Sequence, residues 1–284
     1  GSTLISTISS NLEKMFTEVE TAKEKIEAYT NSSNKGRANS CDNFELYLKV
    51  PIEEEELTGI LSLQQSDGSW MDIDYNDKKR SGWDPLQHAM RVARLSIRYA
   101  RTKDKRALGS SLRAINWWGE HKPVCKNWWY NQIGIPRQFS IAAILLRNEL
   151  GPKQKAALVD ILRESSIRQT GQNRVWQAGN VLVRGIMEGN DSLVMEAGKV
   201  ILDELKFSDG KEGLQKDWSF HQHGPQLQFG NYGLSFAISQ SFWARAFQGT
   251  KLALTKSQRS ILRNYMEKGL GRVVWNASCS TSIS

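Results

Sequence analysis

The residues of this chain best suited to moving a proton lie together in Trp218-Ser219-Phe220-His221-Gln222-His223-Gly224-Pro225-Gln226-Leu227-Gln228-Phe229-Gly230-Asn231-Tyr232-Gly233. Two of the chain's four histidines sit here, beside three glycines and a proline. Loops of that composition often carry function. An imidazole, with an ordinary pKa of about 6.5, can hold or release a proton at neutral pH. A phenol nearby adds a weak acid. His221-x-His223 could also be read as a metal-ligand pair, but its neighbours offer glutamine and asparagine rather than further histidine or carboxylate, so no metal is expected. Either histidine taken alone also suits a hydrogen-bonded structural role.

Two other stretches break the helical rhythm. Thr170-Gly171-Gln172-Asn173-Arg174-Val175-Trp176 follows one helical segment and opens another, placing polar groups where free N–H groups favour anions. On sequence alone Asn173 reads as that helix's N-cap. Lys126-Asn127-Trp128-Trp129-Tyr130-Asn131-Gln132 sets three aromatics in a row. Three consecutive rings cannot share one helix face, so at least one should project outward or into a cleft. With Asn127, Asn131 and Gln132 beside them they suit a sugar platform, flat faces for rings and amides for hydroxyls. A plug over the core is the other reading.

The elements that must position these loops are helical. Residues 6–29 read as an amphipathic opening helix, 30–45 as a loop, and 46–65 as a second helix. Asp84-Pro85 supplies an N-cap and first-turn proline for a helix to about residue 102, with Leu86, Met90, Ala93, Ile97 and Ala100 on one apolar stripe. Arg91, Arg94, Arg98 and Arg101 line a neighbouring face and read as solvated. Further helices fit 106–119, 136–149, 153–168, 174–189, 191–206, 231–248 and 255–270, and Val273-Val274-Trp275 is the best strand candidate. Gly151-Pro152 and Gly189-Asn190-Asp191 mark short connections, so neighbouring helices should be antiparallel. An all-α array of helical hairpins is expected, as one domain over 1–284, with 1–45 an opening helix and loop.

The net charge of +8 favours polyanionic partners, and ten tryptophans lean the choice toward sugar rings. Nucleic acid has charge alone in its favour, with no reader motif. No run of about 18 apolar residues is present to span a membrane. Cys41, Cys125 and Cys279 are too far apart for a zinc-finger pattern, and their odd number leaves no complete disulfide set. Gly1-Ser2 reads as a tag-cleavage remnant, which suggests that a natural leader was removed and that the protein is secreted or periplasmic.

Four blocks in order resemble polysaccharide lyase family 8, the chondroitin AC, hyaluronate and xanthan lyases. They are Asp67-Gly68-Ser69-Trp70 with Trp83 and His88; Asn127-Trp128-Trp129 with Ile133; Thr170-Gly171-x-Asn173; and Glu212-Gly213-Leu214-Gln215 through His223-Gly224-Pro225-Gln226-Leu227-Gln228 to Tyr232-Gly233. The nine-residue step from His223 to Tyr232 is the family's, the likeness spans roughly 55–284, and the last block is nearest the chondroitin AC type. The resemblance implies an incomplete α/α toroid, with the family's β-sandwich domains expected to lie outside this chain. It implies β-elimination on an acidic, uronate-containing polysaccharide, with no cofactor. Asn173, His223 and Tyr232 would be catalytic, and Asn127, Trp128, Trp129, Arg174 and Gln226 would bind substrate as a monomer. The family's catalytic Arg follows a stretch resembling Ser278 to Ser284, and its assisting Glu comes from a β-domain; neither is expected within these residues. Competing readings are a non-catalytic carbohydrate-binding module and a toroid-type glycoside hydrolase with Glu212 and Asp217 as its carboxylate pair.

Overall fold

A computed structural model describes residues 3–18, 51–271, 274–275 and 278–279. Its helices are α1 (Thr3–Thr17), α2 (Glu54–Leu63), α3 (Leu86–Thr102), α4 (Lys105–His121), α5 (Ile135–Leu145), α6 (Pro152–Arg163), α7 (Gly171–Glu188), α8 (Asp191–Asp203), α9 (Leu234–Ala246) and α10 (Lys256–Asn264). Two small antiparallel ladders complete them: β1 (Gly213–Leu214) with β2 (Phe220–His221), and β3 (Val274–Trp275) with β4 (Ser278–Cys279).

Local chemistry explains why the helices reverse so tightly. Between α3 and α4 the chain turns on Lys103, left-handed at φ 59°, and Asp104, whose carboxylate accepts the Arg106 N–H at 3.0 Å. Between α7 and α8 it turns on Gly189, at φ 66°, and Asn190, whose side chain accepts from the Leu193 N–H. Each pair closes one helix C-terminus and opens the next helix, so the partners run antiparallel.

Burial sorts the helices into two layers. α3, α5, α7 and α9 pack in succession, while α4 and α6 pack on each other and on the first set. α5 and α7 are buried almost all round; α4, α6 and α8 each bury one face. A helix apolar all round belongs to an interior layer, and a one-faced helix to an outer one. The result is the incomplete α/α toroid. α1 packs against α3, α5, α8 and α9.

Several expectations shift. The opening helix is seen over Thr3–Thr17, and the rest of 6–29 and all of 30–45 lie outside the described residues. α3 begins at Leu86 rather than on an Asp84 cap; the Asp84 carboxylate accepts from the Asp74 N–H and from Gln87 instead. The arginine stripe of α3 is no solvated face. Arg91 pairs with Asp72, Arg94 with Glu56 and Arg98 with Glu54, and Arg101 donates to the Thr17 carbonyl at 3.1 Å. These pairs fasten α1, α2 and the 72-region loop to α3. Two expected helices contain π-helical turns, at Phe229–Gly233 before α9 and at Tyr265–Leu270 after α10. Val274–Trp275 does form a strand, and Val273 lies outside the described residues.

Candidate functional site

The histidine stretch folds as a ladder, a loop and a π-helical turn. β1 and β2 meet with Gly213 opposite His221 and Leu214 opposite Phe220. Between them the Asp217 carboxylate accepts from the Ser219 N–H at 2.9 Å and the Ser219 hydroxyl at 2.6 Å, and these bonds hold its pKa below the usual carboxylate value. After β2 the Gln222 N–H donates to the Gln226 carbonyl at 3.0 Å, closing a loop that carries His223 at φ 57° and Gly224 at φ 78°. His223 is therefore one of few non-glycine residues held left-handed, a backbone state that clusters at functional sites. The Gly233 N–H then donates to the Gln228 carbonyl at 2.7 Å, the i to i−5 bond of a π turn. Such turns are also frequent at functional sites.

That turn delivers Tyr232 to His223. Their ring centroids lie 4.9 Å apart at 88°, edge to face. The imidazole is exposed, whereas the phenol ring is 9% exposed and packs on Trp176 at 5.9 Å. Trp176 in turn meets Trp129 at 5.5 Å and 84°, with the Arg137 guanidinium 5.3 Å from its ring centre. A continuous aromatic path thus joins the tryptophan loop to the histidine loop through α7.

Asn173 lies on the same helix, one turn before Trp176, so the two share a face. It is not the N-cap: Thr170 takes that place, in extended conformation and without a side-chain capping bond. The cap comes from across the fold. Gln222 Oε1 accepts the Gln172 N–H at 3.0 Å, while its Nε2 donates to the Thr170 carbonyl at 3.3 Å. Gly171, at φ 58°, permits this approach, because a Cβ there would fall 2.3 Å from Gln222 Oε1. Relieved of capping, Asn173 is 4% exposed, and its Oδ1 meets no donor among the described residues. A buried polar atom without a partner calls for an explanation, and a ligand at this helix N-terminus would supply one.

The tryptophan loop divides its three rings. Trp128 is 40% exposed, and Trp129 and Tyr130 are buried, so one ring projects outward and two anchor the loop. Asn127 is occupied in building this platform: Oδ1 accepts the Trp129 N–H at 3.1 Å and Nδ2 donates to the Arg80 carbonyl at 3.2 Å. Arg174 faces Glu204 at 3.3 Å; burial raises the Glu204 pKa and Arg174 lowers it. Gln226 is exposed on the histidine loop. The structure thus brings His223, Tyr232, Trp129 and the Asn173 helix face together, and places Arg174 in an ion pair.

Sequence reasoning passed over Trp176, Arg137 and Gln222. The three-residue step from Asn173 was a readable signal for Trp176; nothing local signals that Gln222 caps α7. Neither carboxylate of the proposed hydrolase pair is free, since Asp217 closes its own turn and Glu212 accepts from Thr170, Gln222 and Gly224. Among the described residues no group of three or more His, Cys, Asp or Glu side chains could hold a metal ion, and no helix is long and apolar enough to cross a membrane.

Comparison with known proteins points the same way. The profile for polysaccharide lyase family 8, N-terminal alpha-helical domain, matches residues 33–283. The chain is 29% identical over 232 residues to chondroitinase-AC of Pedobacter heparinus, covering 78% of this chain and 33% of that protein. It is 26% identical over 174 residues to a hyaluronate lyase of Thermasporomyces composti, covering 60% and 22%. A chondroitinase AC lyase solved in complex with oligosaccharides superposes with a TM-score of 0.76 at 22% identity, over 95% of this chain and 37% of that one. The chain therefore spans about a third or less of the length of the curated relatives it matches.

Proposed function

Because the chain belongs to polysaccharide lyase family 8, we propose that it forms the helical catalytic domain of an enzyme that cleaves an acidic, uronate-containing polysaccharide of chondroitin or hyaluronan type by β-elimination. One observation carries the reading: Asn173, buried and with no donor to its Oδ1 among the described residues, lies one turn before the Trp176 that packs on Tyr232, whose ring meets the exposed His223 imidazole.

Each group suits one requirement of the reaction. The C5 proton of a 4-linked uronate lies α to a carboxylate, which resists taking on further negative charge. Asn173 donates its amide to that carboxylate and so makes C5 more acidic, without the full cation that would retain the product. His223 at neutral pH serves as the base or as a second donor. Tyr232 protonates the leaving O4. The C5–H and C4–O4 bonds break, the C4–C5 double bond forms, and the proton count closes on the departing sugar. Two assignments fit the touching rings: Tyr232 as base and then acid, or His223 as base with Tyr232 as acid.

Trp128 offers an exposed flat face for a sugar ring, beside the buried Trp129 that links it to Tyr232 through Trp176. The excess of positive charge favours an acidic chain along this route. Arg174 and Gln226 are proposed as outer contacts, Arg174 reaching a substrate anion only by sharing itself with Glu204. A polymeric substrate of this kind places the protein outside the cytoplasm, which fractionation of the host would check.

The test is the ultraviolet absorbance of the unsaturated uronate, measured with the protein as its host makes it on chondroitin, hyaluronan, xanthan and alginate. Growth of that band on an acidic polymer is expected. Absence of the band on every uronate polymer would end the lyase reading.

A further inference from the structure

We infer that Glu212 is a positioning residue: it locks the His223 loop onto the N-terminus of α7 and thereby sets Asn173 against the His223–Tyr232 pair. This rests on the lyase reading above.

One carboxylate gathers donors from both segments. Oε2 accepts from the Thr170 hydroxyl and from Gln222 Nε2 at 2.8 Å. Oε1 accepts from the Gly224 N–H at 2.9 Å. Thr170 is the N-cap of α7, yet its hydroxyl makes no capping bond; it is turned to Glu212 instead. Gln222 and Gly224 flank His223, which holds its left-handed backbone between them. The grip is therefore on both neighbours of the imidazole and on the first turn of the helix that carries Asn173. Gly171 packs so closely under Gln222 that no side chain fits between the two segments. Charge-assisted bonds of this kind are the stronger class, and a carboxylate, which is all acceptor, can take three donors at once.

A glutamine cannot replace it. Its single oxygen can face Thr170 and Gln222, but its NH2 then opposes the Gly224 N–H, or the reverse. Misplacing catalytic groups by about 1 Å from outside the chemistry can lower turnover on the order of 100-fold.

The experiment measures Glu212→Gln, Thr170→Val, Thr170→Ser and the Glu212→Gln/Thr170→Val double variant in the host-made protein. It follows kcat and KM by the unsaturated product and the His223 ring protons by NMR, since those protons lie in the ring current of Tyr232. Glu212→Gln should lower kcat about 10- to 100-fold with KM within about twofold, and shift the His223 signals. Thr170→Val should act in the same direction, Thr170→Ser should restore most of the rate, and the double variant should lose less than the product of the single losses. Equal kcat in wild type and Glu212→Gln, multiplicative losses, or unmoved His223 signals would each overturn the role. If Glu212→Gln does not fold, the Thr170 pair carries the same comparison. A wild-type protein without unsaturated product removes the lyase reading, whereas an active wild type with indifferent variants removes only Glu212; the His223 signals decide the positioning in both cases.

Discussion

His88 and His223 both sit among aromatic rings on the same helical frame, and their polar atoms are used in opposite ways. His88 is fully buried, with Trp70, Trp117 and Trp118 at ring distances of 4.9, 5.1 and 5.2 Å. Its Nδ1 lies 2.8 Å from the Tyr75 hydroxyl and its Nε2 2.9 Å from the Ala114 carbonyl. The Tyr75 oxygen already accepts the Trp70 N–H, so its own proton is free to point at Nδ1, and Nε2–H donates to Ala114. Burial then pushes the His88 pKa down to about 3 and that of Tyr75 up to about 12. This is a neutral strut with no capacity left over. His223 is exposed, left-handed, touched edge-on by Tyr232, and makes no side-chain hydrogen bond among the described residues. Aromatic company alone does not separate the two; what separates them is whether the ring nitrogens are already taken.

The largest expected contrast sets these clusters against each other. Tyr232→Phe removes one hydroxyl from a ring that stays packed on Trp176, so turnover should fall on the order of 1000-fold while polymer binding persists and stability changes by no more than about 1.5 kcal/mol. His88→Ala should do the reverse. It leaves Tyr75 and Ala114 without partners inside a packed aromatic shell, costing about 3–5 kcal/mol, with kcat of the folded enzyme preserved at low temperature. Parallel unfolding curves and initial rates decide it; a Tyr232→Phe protein that unfolds as easily as His88→Ala would erase the distinction.

Acid sharpens the same comparison. The folded pKa of His88 is depressed to about 3 from its ordinary 6.5, so between those values the unfolded chain binds a proton that the folded one refuses. The stability contributed by neutral His88 is thus present above about pH 6.5 and is lost as pH falls toward 3, at up to about 1.4 kcal/mol per pH unit. Urea midpoints across that window should fall with acid, and His88→Gln, which cannot titrate, should flatten part of the slope. An unchanged slope in His88→Gln would mean that other groups set the acid limit.

These contrasts also show what the sequence could convey. Helical period and turn punctuation made the toroid's hairpins readable, because Gly189-Asn190 and Gly151-Pro152 act through their own backbone. The order of the four blocks, through the family resemblance, points to Asn173, His223 and Tyr232. What stayed hidden depends on distant partners. The arginines of α3 look solvated until α1, α2 and the 72-region loop are folded against them. Asn173 looks like a cap until Gln222, 49 residues later in the chain (222 − 173), is seen capping the helix in its place. Asn127 reads as a sugar contact from its sequence, which gives no sign that its amide also builds the loop. Local sequence reports what a residue can donate or accept; only the fold reports what has already been taken.

The smallest predicted effect tests that rule within two adjacent residues. Trp128 is 40% exposed and Trp129 is 9% exposed, although the sequence treats them as equals. Trp129 supports Trp176 and, through it, Tyr232, so Trp129→Ala should cost stability of about 3–5 kcal/mol and disturb turnover with it. Trp128 supports no such path to the site. Trp128→Ala should leave the unfolding midpoint in place and raise KM about tenfold, equivalent to about 1.4 kcal/mol of lost stacking, with kcat nearly unchanged. A loss confined to KM is the mark of uniform binding, the behaviour of a platform that holds the polymer alike before and during elimination. If kcat fell instead, Trp128 would be acting on the transition state, and the division of the loop into an anchoring ring and a docking ring would be wrong.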